Sequence, residues 1–424
     1  MFKKLDFISQ NKRINLIIFI TVGLIEFLLI RSMSDLPTEL PNWRFKVDDL
    51  MHFRMPSDNF YGPGGGILLL PFFWNKPDYL IASCFYLAIG LFFYCKITFS
   101  IERVRHRLVA QFSLFLNVYL FWLCVSSQDT VFEFAMYSAF LYLALKEKWG
   151  LALLPGVLLA LTRSGYWAII IIGIIIVSIL EYKKNRLIIR RKLLIIPTLV
   201  IISSINFVTY GSPSPALEGG MTAYFSYAKH HYLSLPKFDM DVFLSAENGD
   251  FSNKELVDKL KKADTPAEED RAYFSSAVSS AIKNPKETML GWMQKFESHL
   301  VSIQKVPQLP GRYVLDNDLK VIRIENERLN WSLIIGNLVY EFYRFILLFA
   351  GLISAGIYLA LKRDAFKSIF ENRMNYLFIF WLPSIIPALL FYSETRFKIV
   401  QELFLIPLIL FIFANNKSKS SAEN

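Results

Sequence analysis

The chain has 424 residues, of which 54% are hydrophobic and 19% are charged, and its formal net charge is +10. Because soluble domains usually carry about 25% charged residues, this composition argues against a soluble globular protein and predicts a polytopic membrane protein. The basic residues stand in short clusters between apolar runs, as they do in the cytoplasmic loops of membrane proteins, so the charge does not indicate a nucleic-acid partner.

The first apolar run, from Ile14 to Ile30, follows a basic stretch and carries no small-residue cleavage site. It therefore predicts an uncleaved signal anchor with the N-terminus in the cytoplasm. A bilayer crossing needs about 20 residues, and by this criterion ten apolar runs predict transmembrane helices. They lie at 14–31, 78–98, 108–125, 130–146, 149–163, 166–182, 192–210, 338–361, 375–392 and 397–414.

The ten runs divide the chain into three parts. An N-terminal transmembrane module at 1–210 includes the first outer loop at 32–77, an extracytoplasmic loop subdomain occupies 211–335, and the C-terminal transmembrane helices and a cytoplasmic tail occupy 336–424. The basic clusters between runs then fall on the cytoplasmic side. We expect a multi-pass integral protein of a bacterial inner membrane, with both termini in the cytoplasm.

Two segments outside the ten runs are predicted to have structure of their own. The run GILLLPFFW at 66–74 is too short to span a bilayer and predicts a re-entrant or interfacial element. The segment 211–335 shows helix-like periodicity, with a helix start at Thr265 and a break at Asn284. We expect it to form a small helical subdomain with irregular parts.

Polar and ionisable side chains collect at the outer ends of several predicted helices. Such residues are costly at membrane depth and are functional hypotheses by default, although residues at helix ends are also often solvated or snorkelling. They are Asp48, Asp49, His52, Arg54 and Asp58 in the first loop, Asp129 and Glu133 in the second, Arg163 and Tyr166 in the third, and Glu394 and Arg396 in the last.

The adjacent Asp48 and Asp49 are candidates for a general base, because a partly buried carboxylate can draw a proton from an acceptor hydroxyl. Adjacent helical residues point about 100° apart, so we expect only one of them to face a site. The alternative for either residue is a helix cap or a solvated loop acid. Asp129, with Glu133 one turn later, has the same alternative role as a cap.

Arg163 is an isolated charge among apolar residues in LALTRSGYW. Its guanidinium would offer a fork of donors to a phosphate, and its alternative role is pairing with an acid on a neighbouring helix. Arg396 has a similar choice between phosphate binding and anchoring at the membrane interface. No metal site is predicted from the histidines, because His52 stands alone and the adjacent His230 and His231 have no cysteine or acidic cluster beside them.

Several stretches resemble the GT-C superfamily of integral membrane glycosyltransferases, which take a sugar from a polyprenyl-phosphate lipid on the extracytoplasmic face. They are the acid-containing first outer loop (KVDDLMHF, then FYGPGGGILLLP), the acid at the head of the fourth span (SQDTVFEF), the stretch GVLLALTRSGYW, the late SETRFKIVQELFLIPLIL, and AVSSAIKNPKETMLGWMQKF before the C-terminal spans. The resemblance implies an all-α polytopic fold with about ten transmembrane helices and a helical extracytoplasmic loop subdomain.

The resemblance also implies roles for individual residues. Asp49, or after it Asp48, would be the base, with Asp129 as a further catalytic residue. The base would deprotonate a hydroxyl of a glycan, lipid or protein acceptor, which attacks the anomeric carbon with inversion as the lipid phosphate departs. Some family members neutralise that phosphate with Mg²⁺ or Mn²⁺, for which Asp49 and Asp129 would supply oxygens, and others use only cationic side chains. The implied substrate-binding residues are Arg163, Arg396, His52, Arg54, Tyr61, Tyr166 and Glu394.

Two other functions are open from the sequence. A polysaccharide polymerase or ligase that joins lipid-linked glycans would place its key arginines in the large loop, whereas here acids stand in the first loop. A transporter or lipid flippase would carry ionisable residues near span centres and a repeat in two halves, whereas here the charges crowd at span ends and no repeat is visible.

Overall fold

The computed structural model describes residues 11–32, 47–52, 63–72, 79–126, 128–163, 165–181, 192–212, 220, 223–224, 254–301, 312–315, 321–324, 338–340, 342–361, 372–390 and 399–415. Within these ranges the chain is mainly helical, as the sequence predicts. The helices are α1 (Lys12–Ser32), α2 (Gly64–Leu69), α3 (Tyr79–Thr98), α4 (Val104–Phe115), α5 (Val118–Ser126), α6 (Gln128–Leu145), α7 (Trp149–Thr162), α8 (Gly165–Glu181), α9 (Ile195–Tyr210), α10 (Lys254–Leu260), α11 (Pro266–Lys283), α12 (Pro285–Val301), α13 (Gly351–Leu361), α14 (Tyr376–Trp381), α15 (Ile385–Leu390), α16 (Ile399–Glu402) and α17 (Leu405–Asn415).

Three helices in the described part of the chain are long and apolar enough to cross a bilayer. They are Lys12–Ser32, Tyr79–Thr98 and Leu338–Leu361, and α4 with α5 would make a fourth if this pair, bent by 44°, forms one span. The other apolar runs also form helices close to their predicted bounds, but shorter ones. The structure therefore confirms apolar helices of membrane-spanning length, but not ten spans.

Three predicted spans are broken helices, and local chemistry explains each break. The side chain of Asn117 accepts a hydrogen bond from the backbone N–H of Leu120 at 3.1 Å, so it caps α5 and separates it from α4. The run 375–392 changes to a 3₁₀ turn over Leu382–Ser384, which contains Pro383. The run 397–414 is divided between α16 and α17, with Pro407 in the first turn of α17 where proline is tolerated.

Helix α6 is at the centre of the bundle. It packs against α3 on one side and α7 on another, and it also contacts α5 and α16. Its residues Val131, Phe134, Tyr137 and Phe140 are all fully buried. Beyond its first two turns, which carry Asp129 and Glu133, QDTVFEFAMYSAFLYLAL is mostly apolar on every side. Such a helix can be buried on every side, so it forms part of the core.

The contact between α3 and α6 depends on a missing side chain. A Cβ atom added to Gly90 would lie 2.4 Å from Cδ1 of Phe134, whereas one added to Gly356 in α13 would meet no atom within 4 Å. We expect Gly90→Ala to lower the free energy of unfolding by about 1–3 kcal/mol through overpacking. The control, Gly356→Ala, should be neutral or raise it by up to about 1 kcal/mol. Thermal unfolding in detergent micelles compares the two variants, and equal behaviour would contradict the close approach.

The segment 211–335 is helical in part. Helix α11 starts where predicted, because the Thr265 side chain accepts a hydrogen bond from the backbone N–H of Glu268 at 3.3 Å, and it ends at Asn284 as predicted. The segment also contains two strands, Arg312–Leu315 and Val321–Ile324, paired antiparallel. The sequence predicted irregular parts here but not this short hairpin: Tyr313, Val314, Val321, Ile322 and Ile324 are aromatic or β-branched residues, which favour strands.

Candidate active site

The described chain has two polar ends, defined by the antiparallel pair α6 and α7. These helices pack side by side and are joined by the short connection 146–148, so the start of α6 lies at the same end as the finish of α7. The start of α8 follows directly. This end is the one that the sequence predicts to be extracytoplasmic.

Four of the predicted site residues meet at this end, and we call them the acid–arginine cluster: Asp129, Glu133, Arg163 and Tyr166. Nη2 of Arg163 lies 3.8 Å from Oδ2 of Asp129, and Nε of Arg163 contacts Oε1 of Glu133. The hydroxyl of Tyr166 donates to Oε2 of Glu133 at 3.2 Å. Asp129 and Glu133 stand four residues apart and so project from one face of α6.

Burial makes this cluster energetically significant. The side chain of Glu133 is 1% exposed, and those of Asp129 and Arg163 are 13% and 16% exposed. A buried carboxylate needs a cationic or hydrogen-bonding partner because its desolvation is costly, and Arg163 supplies one to both acids. The structure therefore shows the pairing of Arg163 with helix acids that the sequence left as its alternative role, and it gives Asp129 a partner beyond any capping role.

The aspartate pair of the first loop lies on a short helical turn at 47–51. Val47 is fully buried and holds this turn against the core, while Asp48 is exposed and Asp49 is half-buried. The two residues therefore differ in burial, and Asp49 is the less exposed of them. The ring of exposed His52 contacts the backbone of its own turn, with Nδ1 2.8 Å from the carbonyl oxygen of Asp48.

The glycine run of the first loop brings that loop to the end of α7. Gly64, Gly65 and Gly66 are buried, and a Cβ atom on Gly64 would lie 2.5 Å from the backbone nitrogen of Thr162, the residue before Arg163. Helix α2 is only six residues long and its Leu68 carbonyl accepts a hydrogen bond from the Tyr86 hydroxyl at 2.6 Å. The run 66–74 thus overlaps a helix that is too short to span a bilayer, and its re-entrant or interfacial placement stays a prediction. Only glycine fits this close approach to a neighbouring backbone.

Several predicted site residues lie outside the described residues, and their roles stay predictions. The metal hypothesis also stays a prediction. In the part of the chain that the structure describes, no group of three or more His, Cys, Asp or Glu side chains is suited to a metal ion. The predicted site residues outside the described ranges are Arg54, Tyr61, Glu394 and Arg396, and Asp58, His230 and His231 also lie there.

The structure also reveals a buried ion pair that the sequence analysis missed. Nη1 of Arg344 donates to Oε2 of Glu402 at 2.6 Å, with side chains that are 1% and 6% exposed. Arg344 lies in a π-helical stretch, Tyr343–Ala350, and Glu402 ends α16 at the break before α17. The signal was present in the sequence, because both are charged residues inside apolar runs that predict spans, and such residues are functional hypotheses by default.

Aromatic rings connect the two buried ionic groups. The ring of Tyr137 lies 5.8 Å from that of Tyr166, which belongs to the acid–arginine cluster, and 5.4 Å from that of Phe404. Phe404 follows Glu402 by two residues. The ion pair and the cluster are thus separated by a short row of packed rings around α6.

The opposite end of the bundle carries a different polar group. Glu181 at the end of α8 contacts both Lys192 and the hydroxyl of Tyr376, and Nζ of Lys192 lies 5.0 Å from the centre of the Trp149 ring. Nearby in sequence, Arg373 pairs with Glu147 at 2.6 Å. These residues come from three loops that the sequence predicts to be cytoplasmic, so their meeting at one end agrees with the predicted alternation of the helices.

Lys295 connects the large predicted loop to the apolar bundle. Its Nζ atom donates to the carbonyl oxygen of Leu389 in α15 at 3.1 Å, and the residue is 3% exposed. Burial disfavours the charged form and lowers the pKa of Lys295 from 10.5 to about 7.

The lowered pKa of Lys295 predicts a dependence of stability on pH. Between pH 10.5 and about 7 the unfolded chain binds a proton on Lys295 that the folded chain does not. The stabilisation is therefore complete above pH 10.5 and is lost as the pH falls to about 7, by up to about 1.4 kcal/mol per pH unit. Thermal unfolding of the wild type and of Lys295→Met is measured between pH 7 and pH 10. The difference in stability between the two proteins should grow as the pH rises, and a difference that does not change with pH would contradict the prediction.

The acid–arginine cluster and the glycine contact of α2 are the features at this end on which a function can be argued, together with the half-buried Asp49 of the first loop. Comparisons of the chain with protein-family models, with curated proteins and with solved structures find no match.

Proposed function

We propose that this chain is a membrane glycosyltransferase that moves a sugar from a polyprenyl-phosphate donor to an envelope glycan, lipid or protein on the extracytoplasmic face. The observation that carries the proposal is the acid–arginine cluster, formed where the glycine run of the first loop meets the end of α7. In this proposal, the guanidinium held between carboxylates is the phosphate ligand. An acid of the first loop is the base, and both act at one end of an apolar bundle.

Asp49 is assigned the role of base. Its carboxylate takes the proton of an acceptor hydroxyl while the hydroxyl oxygen forms a bond to the anomeric carbon. The bond from that carbon to the phosphate oxygen breaks at the same time, and its electron pair leaves with the polyprenyl phosphate. Attack opposite the leaving group inverts the anomeric centre. Asp49 supports this role better than Asp48, because Asp49 is half-buried whereas Asp48 is exposed.

Arg163 is assigned to the departing phosphate, with its two acids as positioning partners. Nε of Arg163 is held by Glu133, which Tyr166 also contacts. Nη2 of Arg163 is 3.8 Å from Oδ2 of Asp129. In the proposed mechanism, a phosphate oxygen exchanges with this carboxylate at Nη2 while the contact of Nε with Glu133 holds the guanidinium in position.

The proposal includes the membrane arrangement. We infer ten spans, the three-part division at 210 and 335, both termini in the cytoplasm, and a bacterial inner membrane as the location. The separate polar groups at the two ends of α6, α7 and α8 support this alternation. A bundle of this kind suits the donor, since the polyprenyl chain requires lipid contact while its phosphate requires charged ligands at the interface.

A second candidate, a transporter or lipid flippase, is favoured by one observation. The Arg344–Glu402 pair is buried among apolar helices, where a π-helical stretch meets a broken helix. Transporters place ionisable residues inside the membrane at discontinuous helices. The sequence had argued against a transporter because the charges crowd at span ends, and this buried pair is an exception to that pattern.

One experiment separates the two candidates. Purified protein in phospholipid vesicles is supplied with polyprenyl-phosphate-linked hexoses and pentoses and with envelope extract as acceptor, with and without Mg²⁺ or Mn²⁺. Mass spectrometry then measures free polyprenyl phosphate and glycosylated acceptor. Glycosyl transfer predicts that both products appear together, and that both are lost in Asp49→Asn. Movement of intact lipid-linked sugar between leaflets, without release of polyprenyl phosphate, would favour the flippase.

A further inference from the structure

Helices α11 and α12 expose large apolar side chains, although they belong to the most hydrophilic part of the chain. On α11, residues four apart are exposed by 51%, 42% and 73%: Phe274, Val278 and Ile282. On α12 the corresponding fractions are 64%, 43%, 61% and 44%: Met289, Trp292, Met293 and Phe296. Residues three and four apart lie on one helix face, so each helix presents a continuous apolar face outward.

The other faces of the two helices are different. Ala272, Ser276 and Ala277 of α11 and Lys295 of α12 are buried, while acids such as Glu287 are exposed outside the apolar faces. The two helices are therefore amphipathic, but with the larger apolar side chains turned away from the protein. Soluble proteins rarely expose a contiguous apolar surface of this kind, and it marks contact with a membrane or a partner.

The position of α12 indicates which of these it meets. It packs along α15, and Lys295 is hydrogen-bonded to Leu389 of that helix. The apolar segment 376–390, which includes α15, has its own exposed stripe at four-residue spacing, where Phe378, Leu382 and Ile386 are about 40% exposed. The apolar face of α12 thus lies beside a stripe of a predicted membrane span.

We propose that the consecutive helices α11 and α12 lie in the membrane interface and insert their apolar faces into the extracytoplasmic leaflet. Trp292 is of the residue type that concentrates at the headgroup level of membranes. Lys283 and Lys286, at the turn between the helices, are exposed and placed to meet lipid phosphates. This inference goes beyond the proposed enzymatic function and can fail or succeed without it, but it rests on the proposed membrane arrangement, because it concerns where these two helices lie.

The test uses full-length protein reconstituted in phosphatidylethanolamine and phosphatidylglycerol vesicles. Cys84 is half-buried, while Cys95 and Cys124 are buried, so Cys84→Ser leaves a background whose low thiol reactivity is measured first. A fluorescent thiol label is attached at Met293→Cys or at the matched position Glu287→Cys, which is exposed on α12 outside the apolar face. Ile282→Cys reports on α11 and serves if Met293→Cys does not fold.

Lipids that carry a nitroxide near the headgroup should quench the labels at 293 and 282 several-fold more than the label at 287. Water-soluble iodide should show the reverse order. Equal quenching by lipid at 293 and 287 would overturn the proposal. Protection of the labels at 293 and 282 from both quenchers would also overturn the proposal and would indicate a protein partner. Energy transfer between differently labelled molecules would show whether that partner is a second copy of this chain.

Discussion

Replacing Asp49 with asparagine is expected to lower sugar transfer by about 10²- to 10⁴-fold, the usual contribution of a general base, while the protein stays folded and inserted. Asparagine has nearly the same shape but cannot accept the acceptor proton. Asp49 is half-buried on a turn whose Val47 is fully buried, so the carboxylate is held in place. Release of polyprenyl phosphate by purified variants in vesicles measures the loss.

The neighbouring acid provides a matched control. Asp48 carries the same carboxylate one residue away but is exposed, so Asp48→Asn should retain most of the wild-type rate. A large loss in Asp48→Asn with little loss in Asp49→Asn would exchange the two roles. Full turnover in both variants would remove the first loop from the chemistry and leave the base unassigned.

Replacing Arg344 with methionine is expected to lower the free energy of unfolding by about 3–5 kcal/mol, the cost of leaving one member of a buried ion pair without its partner. Glu402 is 6% exposed and lies 2.6 Å from the Arg344 guanidinium, so it would become a buried charge with that interaction removed. Unfolding of purified variants by a denaturing detergent, followed by circular dichroism, measures the change.

Two further variants make this result specific. Arg344→Met combined with Glu402→Leu should recover most of the lost stability, because an apolar pair of similar volume can replace a buried ion pair at little cost. Arg373→Gln should cost less than about 1 kcal/mol, since Arg373 and Glu147 are 50% and 27% exposed. Equal losses in Arg344→Met and Arg373→Gln would show that burial does not govern the Arg344 pair.

The helix positions follow from the sequence because long apolar runs can satisfy their backbone hydrogen bonds only as helices in lipid. α1 and α3 lie within two residues of their predicted bounds. The breaks could not be predicted from hydropathy, since a window that averages 20 residues does not register one capping side chain such as Asn117 or one proline such as Pro383.

Long-range pairings were harder to predict than positions. The sequence placed Asp129, Glu133, Arg163 and Tyr166 at one end because helix direction fixes the end of each residue, and the structure brings these four together. The sequence alone could not decide whether Arg163 binds a phosphate or pairs with a helix acid. The Arg344–Glu402 pair joins residues 58 positions apart, and each charge alone is diluted by the apolar run around it.

The sidedness of the bundle can be measured with single cysteines placed at its two ends in the Cys84→Ser background. Asp48 is exposed on the first-loop turn, and Lys148 is exposed at the start of α7, whose other end carries Arg163. We predict that a membrane-impermeant maleimide labels Asp48→Cys in intact cells, whereas it labels Lys148→Cys only after permeabilisation. Labelling of both cysteines from the outside would place Asp49 and Arg163 on opposite sides of the membrane and contradict a shared active site. Labelling of Lys148→Cys alone would place both residues on the cytoplasmic side and contradict an extracytoplasmic site.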